Sequence, residues 1–132
     1  MSQAAVSKKK KAACMRASRL VIRSKVWIEV DGEPVFSKGR EALFRAIDEH
    51  GSISRAAREM GISYRRAWGY IKAMEARLGV PLIRTSKGGS GGGGSRLTDD
   101  ARELLSRFER LQRGIDDLVD KRFEKTFRER GI

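Results

Sequence analysis

The chain has 132 residues, and its 29 Lys and Arg against 17 Asp and Glu give a formal charge of +12. That length supports one small domain, or one domain with arms, and no window approaches the ~18 uninterrupted apolar residues of a membrane span. A single cysteine, Cys14, and a single histidine, His50, exclude an intramolecular disulfide and a zinc site of the usual Cys/His type, so no metal is expected. The basic start is not followed by an apolar run after Lys11, so it does not read as a secretory signal. These features describe a cytoplasmic chain with nucleic acid as its expected partner.

Charge is unevenly spread. Residues 1–25 carry eight basic groups and no acid, residues 26–98 carry twelve basic and eight acidic groups, and residues 99–132 carry nine of each. The first stretch, with Lys8, Lys9, Lys10, Lys11 and Arg16, reads as a flexible basic arm over residues 1–18. Two roles fit it equally, a phosphate-seeking tail and a solubilising leader. Val26, Ile28 and Val30 then alternate with Trp27 and Glu29, the period of a strand. Asp31-Gly32 is a turn signal, and Pro34-Val35-Phe36 returns, predicting a β-hairpin. Ser37 is placed to cap a helix carrying Ala42, Leu43, Ala46 and Ile47 at helical spacing, which stops at Gly51. His50 near that helix end reads as a surface residue compatible with the helix dipole.

Residues 51–85 read GSISRAAREMGISYRRAWGYIKAMEARLGVPLIRT. Ser54 is expected to cap a short helix with Ala56, Ala57 and Met60. Gly61 interrupts it, and Ser63 caps a second helix that runs to Leu78, where Gly79 and Pro81 stop it. Two helices separated by a few residues around a glycine form the layout of a helix-turn-helix. Ile62, Ala67, Ile71, Met74 and Leu78 make one apolar stripe of the second helix. With Ala67 inward, Arg65, Gly69 and Lys72 face away, and Ser63, Tyr64 and Arg66 stand at the helix start. Recognition helices read base edges from that end, and the arginine fork matches guanine O6 and N7. Gly69 leaves room for a groove wall beside the helix backbone. Trp68 and Tyr70 flank the stripe and are assigned to packing.

Leu82–Thr85 reads as a strand and Arg96-Leu97 as its partner, with the glycine-rich run SKGGSGGGGS between them. The run cannot be a nucleotide-binding P-loop, because Lys87 precedes the glycines and a strand, not a helix, follows. Strand, loop and strand after a helix-turn-helix describe a wing, whose Arg84, Lys87 and Arg96 can reach phosphates. The segments GSISRAA, GISYRRAW and GVPLIRTSKGGSGGGGSRLT together resemble the N-terminal winged-helix domain of molybdate-responsive regulators of the ModE type, which are related to LysR-type DNA-binding domains. The likeness extends over roughly residues 20–120. It implies a transcription regulator that binds DNA as a dimer, and it makes the glycine run a native wing rather than a synthetic linker. Members of that family also carry C-terminal oxyanion-binding domains. None follows Ile132 in this sequence, so neither molybdate sensing nor any other cofactor is expected.

Thr98, followed by Asp99 and Asp100, opens a long helix expected to reach residue 129. Leu104, Phe108, Leu111, Ile115 and Leu118 are spaced four, three, four and three residues apart, a coiled-coil seam, and are the expected dimer interface. The fold class is thus mainly α with small β: a winged helix-turn-helix over residues 19–98, with an N-terminal β-hairpin and a dimerisation helix over 99–132. The expected DNA-binding residues are Ser52, Ser54, Arg55, Ser63, Tyr64, Arg65, Arg66, Gly69, Lys72, Arg84, Lys87 and Arg96. No catalytic constellation is apparent, so no enzymatic activity is expected. Two other readings stay open: a nucleoid-associated protein coating DNA with weak sequence preference, and an adaptor that uses the winged helix to hold another protein.

Overall fold

The computed structural model describes residues 19–89 and 92–128, with the side chains of residues 87–89, 92 and 93 outside that description. The expected arm over residues 1–18 and the side chain of Lys87 therefore lie outside the described residues. The elements in chain order are β1 (Trp27–Val30), β2 (Glu33–Ser37), α1 (Lys38–His50), α2 (Ile53–Met60), α3 (Tyr64–Leu78), β3 (Ile83–Gly89), β4 (Gly92–Leu97) and α4 (Asp99–Phe127). Residues 26–109 form one compact unit, and residues 19–25 with 110–128 belong to another.

In the first unit, Asp31 and Gly32 both take positive φ, at 52° and 81°. This is the type I′ geometry that lets a two-residue turn follow the natural twist of a hairpin. β1 pairs antiparallel with β2, Val30 facing Glu33, and Val35 and Phe36 are buried. Ser37 caps α1 by accepting from the Arg40 amide. The buried face of α1 is Leu43, Phe44, Ala46 and Ile47, whereas Ala42 is exposed. The larger Phe44, not Ala42, fills the space beside Phe36, with ring centroids 6.2 Å apart.

The cap of α2 is Ser52, whose hydroxyl accepts from the Arg55 amide at 3.2 Å. This corrects the expectation for Ser54, which sits inside the first turn. A cap must precede the first helical residue, and a start at residue 53 puts Ile53 into the core. Gly61 ends α2 with φ at 71°, and the Ile62 amide reaches back to the Ala57 carbonyl at 3.0 Å. A side chain at that φ would be strained. Ala56 and Ala57 are fully buried, which keeps α2 close to its neighbours. Ser63 caps α3, accepting from the Arg66 amide at 3.0 Å.

The wing strands run further than the sequence suggests. Ile83 pairs with Leu97, Arg84 with Arg96 and Thr85 with Ser95, and pairing resumes at Gly89 with Gly92 after a register shift. Glycine carries little strand propensity, but the backbone here has other support. The Gly94 amide donates to Ser86 Oγ at 3.2 Å, and the Ser95 amide donates to the Gly51 carbonyl at 2.9 Å. A Cβ on Gly94 would sit 3.2 Å from that same Gly51 oxygen, so a glycine is what lets the wing strand lie against the end of α1.

Thr98 then does two jobs. Its hydroxyl donates to the Pro81 carbonyl at 2.8 Å and accepts from the Ala101 amide at 3.1 Å, capping α4. Ala101, Leu105 and Phe108 of α4 join the core, and the Phe108 ring meets Phe36 edge-on at 4.9 Å. Phe108 is therefore packed in the core of its own domain, and Leu104 is half-buried against the same core. The reason is angular: at about 100° per residue, residues 101, 105 and 108 share a face that the spacing of the seam alone does not distinguish.

In the second unit, Ser24 Oγ donates to Asp116 Oδ1 at 2.9 Å and the Arg128 guanidinium donates to the Leu20 carbonyl at 2.7 Å. The Phe123 and Phe127 rings pack in a tilted pair with centroids 4.9 Å apart, while Leu111 and Leu118 are exposed. Among the described residues no helix is long and apolar enough to cross a membrane.

Candidate nucleic-acid interface

The orientation of α3 follows from its buried side. Ala67, Ile71 and Met74 are at most 2% exposed, so Arg65, Gly69 and Lys72 face outward, and all three are exposed. Ser63, Tyr64 and Arg66 are also exposed at the start of the helix. The Tyr64 ring stacks on Trp68 with centroids 6.4 Å apart and planes 10° from parallel, and the Lys72 ammonium lies 4.5 Å from the Trp68 centroid. Trp68 is half-buried, so it packs and also carries two exposed neighbours in place.

The two arginines at the helix start differ. Arg66 Nε donates to Tyr70 Oη at 2.5 Å. On α1, Arg40 lies over the same Tyr70 ring, 3.6 Å from its centroid. The guanidinium of Arg66 is thus positioned in advance, while Arg65 has no side-chain partner among the described residues. Arg55, Arg84 and Arg96 also lack an acidic partner among the described residues. Arg84 and Arg96 face each other directly across the wing ladder, where like charges repel. An anion beside that pair would relieve the repulsion.

The wing and the helix-turn-helix share polar clefts. One of about 220 Å³ is lined by Ser52, Ser54 and Tyr64 on one side and Thr85, Ser86 and Ser95 on the other. Another, of about 500 Å³, includes Gly51, Arg84 and Arg96. The structure thus brings Ser52, Ser54 and Tyr64 beside the wing, while Arg65, Arg66, Gly69 and Lys72 lie along the open face of α3. The hydroxyls of Ser86 and Ser95 escaped the sequence reading, because a glycine-rich run gave no reason to place them on a strand, and Thr85 was placed on the strand but not at the interface.

Glu75 also escaped it. Its carboxylate accepts from the Leu82 amide at 2.7 Å, the Ile83 amide at 3.2 Å and Lys72 Nζ at 3.1 Å. Burial alone pushes its pKa up, but the Leu82, Lys72 and Ile83 contacts outweigh this and hold the group below the ordinary glutamate value. Glu75 fastens the first residues of the wing to α3.

Residues 42–102 match the model of bacterial regulatory helix-turn-helix proteins of the lysR family. Over this segment the chain is similar to lysR-type regulatory helix-turn-helix proteins. The chain is 40% identical over 87 residues to the molybdenum-pterin-binding protein MopB of Rhodobacter capsulatus, covering 66% of this chain and 32% of that one. It is 32% identical over 111 residues to the molybdenum transport protein ModE of Azotobacter vinelandii, covering 84% and 40%. It is 36% identical over 85 residues to the DNA-binding transcriptional dual regulator ModE of Escherichia coli K12, covering 61% and 32%. The chain thus spans about a third of the length of the curated relatives it matches. The described domain is a winged helix-turn-helix, similar over the matched segments to part of the ModE regulators.

The anchoring of the wing has a pH signature. Because the folded pKa of Glu75 is lowered, its stabilisation is complete above the ordinary glutamate range and is lost as pH falls through the folded value. Glu75→Gln is expected to be less stable than the wild type by about 1–2 kcal/mol near neutrality. Urea denaturation across pH should show the gap closing in acid. A gap independent of pH would contradict the assignment.

Proposed function

We propose that this chain regulates transcription by binding duplex DNA as a homodimer. The observation that carries the reading is the free N-terminal end of α3, where Arg65 stands exposed beside the pre-positioned Arg66. In this reading the start of α3 enters the major groove, with Arg65 and Arg66 at base edges and Ser63 and Tyr64 beside them. Gly69 and Lys72 follow the groove wall. Ser52, Ser54 and Arg55 approach the backbone, as do Arg84, Lys87 and Arg96 of the wing. Residues 1–18 act as a basic arm and residues 19–98 as the DNA-binding domain, working in the cytoplasm on the nucleoid. The ModE relatives, described as transcriptional regulators, support this class.

Residues 99–132 supply dimerisation. Leu111 and Leu118 are 46% and 67% exposed, with Ile115 half-buried between them, and a second copy would cover this stripe by two-fold pairing. Leu104 contributes at the edge of the stripe.

Two substitutions separate folding from readout. Arg65→Ala should weaken binding to a selected duplex by about 1–3 kcal/mol and relax its sequence preference. Gly69→Ala adds a Cβ that meets no atom within 4 Å, so it should stabilise the helix by about 0.5–1 kcal/mol yet weaken DNA binding. Fluorescence anisotropy and urea melts read both, and equal losses on selected and random DNA would reduce Arg65 to a phosphate contact. For the dimer, Leu111→Asp combined with Leu118→Asp should yield a folded monomer with much weaker DNA affinity. Light scattering that finds the wild-type chain monomeric at tens of micromolar would contradict the pairing.

A further inference from the structure

Beside the α1–α2 junction the chain gathers its one imidazole and two carboxylates. Glu49 and His50 occupy the last turn of α1, and Glu59 lies near the end of α2. One donor atom from each lies within 4.8 Å of the other two. We propose that Glu49, His50 and Glu59 form a binding site for a divalent transition-metal ion. His50 Nε2 and Glu59 Oε2 are already in contact.

Three observations carry this. First, Glu59 pairs with neither arginine of its own helix among the described contacts. Arg55 stands one turn earlier, within reach of an ion pair though in the weaker order of base before acid, and Glu59 instead reaches across to His50. Second, the turn between the two ligand-bearing segments is held rigidly. The Gly51 amide donates to the Ile47 carbonyl at 2.7 Å, and the Gly51 carbonyl receives the Ser95 amide of the wing. Ser52 caps α2 immediately after. Little backbone ordering remains to oppose binding. Third, the distances fit. Ligands about 2.0–2.2 Å from a tetrahedral ion stand roughly 3.3–3.6 Å from one another, and rotations of the exposed Glu49 and Glu59 side chains reach that spacing.

The donor set states the class of ion. An imidazole with two carboxylates suits zinc and its first-row neighbours, whereas magnesium and calcium prefer oxygen alone. Three protein donors leave room for water in the remaining positions, facing an open cleft of about 330 Å³. Arg55 and Arg58 line that cleft too. Their charge opposes the cation, which places the expected affinity in the micromolar range rather than tighter.

The test is titration of the full chain with Zn²⁺, read by calorimetry and by NMR of the histidine ring. His50 is the only histidine, so its ring signals need no assignment. The expected result is one Zn²⁺ per chain and a change of the His50 ring signals that saturates with it. His50→Gln and Glu59→Gln should each weaken binding at least about tenfold, with unchanged circular dichroism. Cys14→Ser should bind as the wild type does. Unmoved His50 signals at millimolar Zn²⁺ would overturn the proposal, even if a variant failed to fold. Full binding by His50→Gln, or its loss in Cys14→Ser, would do the same.

Discussion

The buried face of α3 is the constraint from which the rest of the domain follows. Ala67, Ile71 and Met74 are sealed in the core with Ala56 and Ala57 of α2, and the small alanines leave little freedom for the helices to roll or separate. Once that face is fixed, the 3.6-residue period sets where every other α3 side chain points. Arg65, Gly69 and Lys72 have no inward alternative. The helix exposes its cations because its apolar residues leave them nowhere else to go.

The wing is held by bonds to its backbone as well as by Leu82 and Leu97 in the core. Glu75 holds the amides of Leu82 and Ile83, and the Gly51 carbonyl holds the amide of Ser95. Both anchors act on backbone amides, so the wing keeps its place without using its arginine side chains. Thr85, Ser86 and Ser95 turn toward the cleft shared with Ser52 and Tyr64, and Arg84 and Arg96 keep their charge unneutralised among the described residues. Thr98 completes the frame by joining Pro81 to the first turn of α4. A hydroxyl, a carboxylate and two glycines thus position the wing.

Much of this was legible in the sequence, where a residue type has only one economical use. Ser37 and Ser63 precede apolar-periodic runs, and both cap helices. Gly51, Gly61 and Gly79 follow such runs, and all three end them with positive φ. Asp31-Gly32 announced the tight hairpin. The misreadings occurred where two residues could serve one role. Ser52 and Ser54 both precede α2, and only the burial of Ile53 decides between them. In α4 the apolar residues cover more than one face, so a seam by spacing included Phe108, which the domain keeps for its own core. The glycine-rich strands were hidden because their support comes from Gly51 and Ser86, through contacts that no propensity scale contains. The meeting of His50 with Glu59 was hidden for a similar reason, since it depends on the turn angle between α1 and α2.

The central claim is that the start of α3, the start of α2 and the wing together form the DNA-facing surface. The most direct measurement is an amide NMR titration of the isotope-labelled chain with a selected duplex and with a random one. The account predicts perturbations at Ser52–Arg55, Ser63–Arg66, Gly69 and the β3–β4 strands, with those at Arg65 and Arg66 differing between the two duplexes. Perturbations confined to residues 19–25 and the distal half of α4, leaving α3 unmoved, would contradict it.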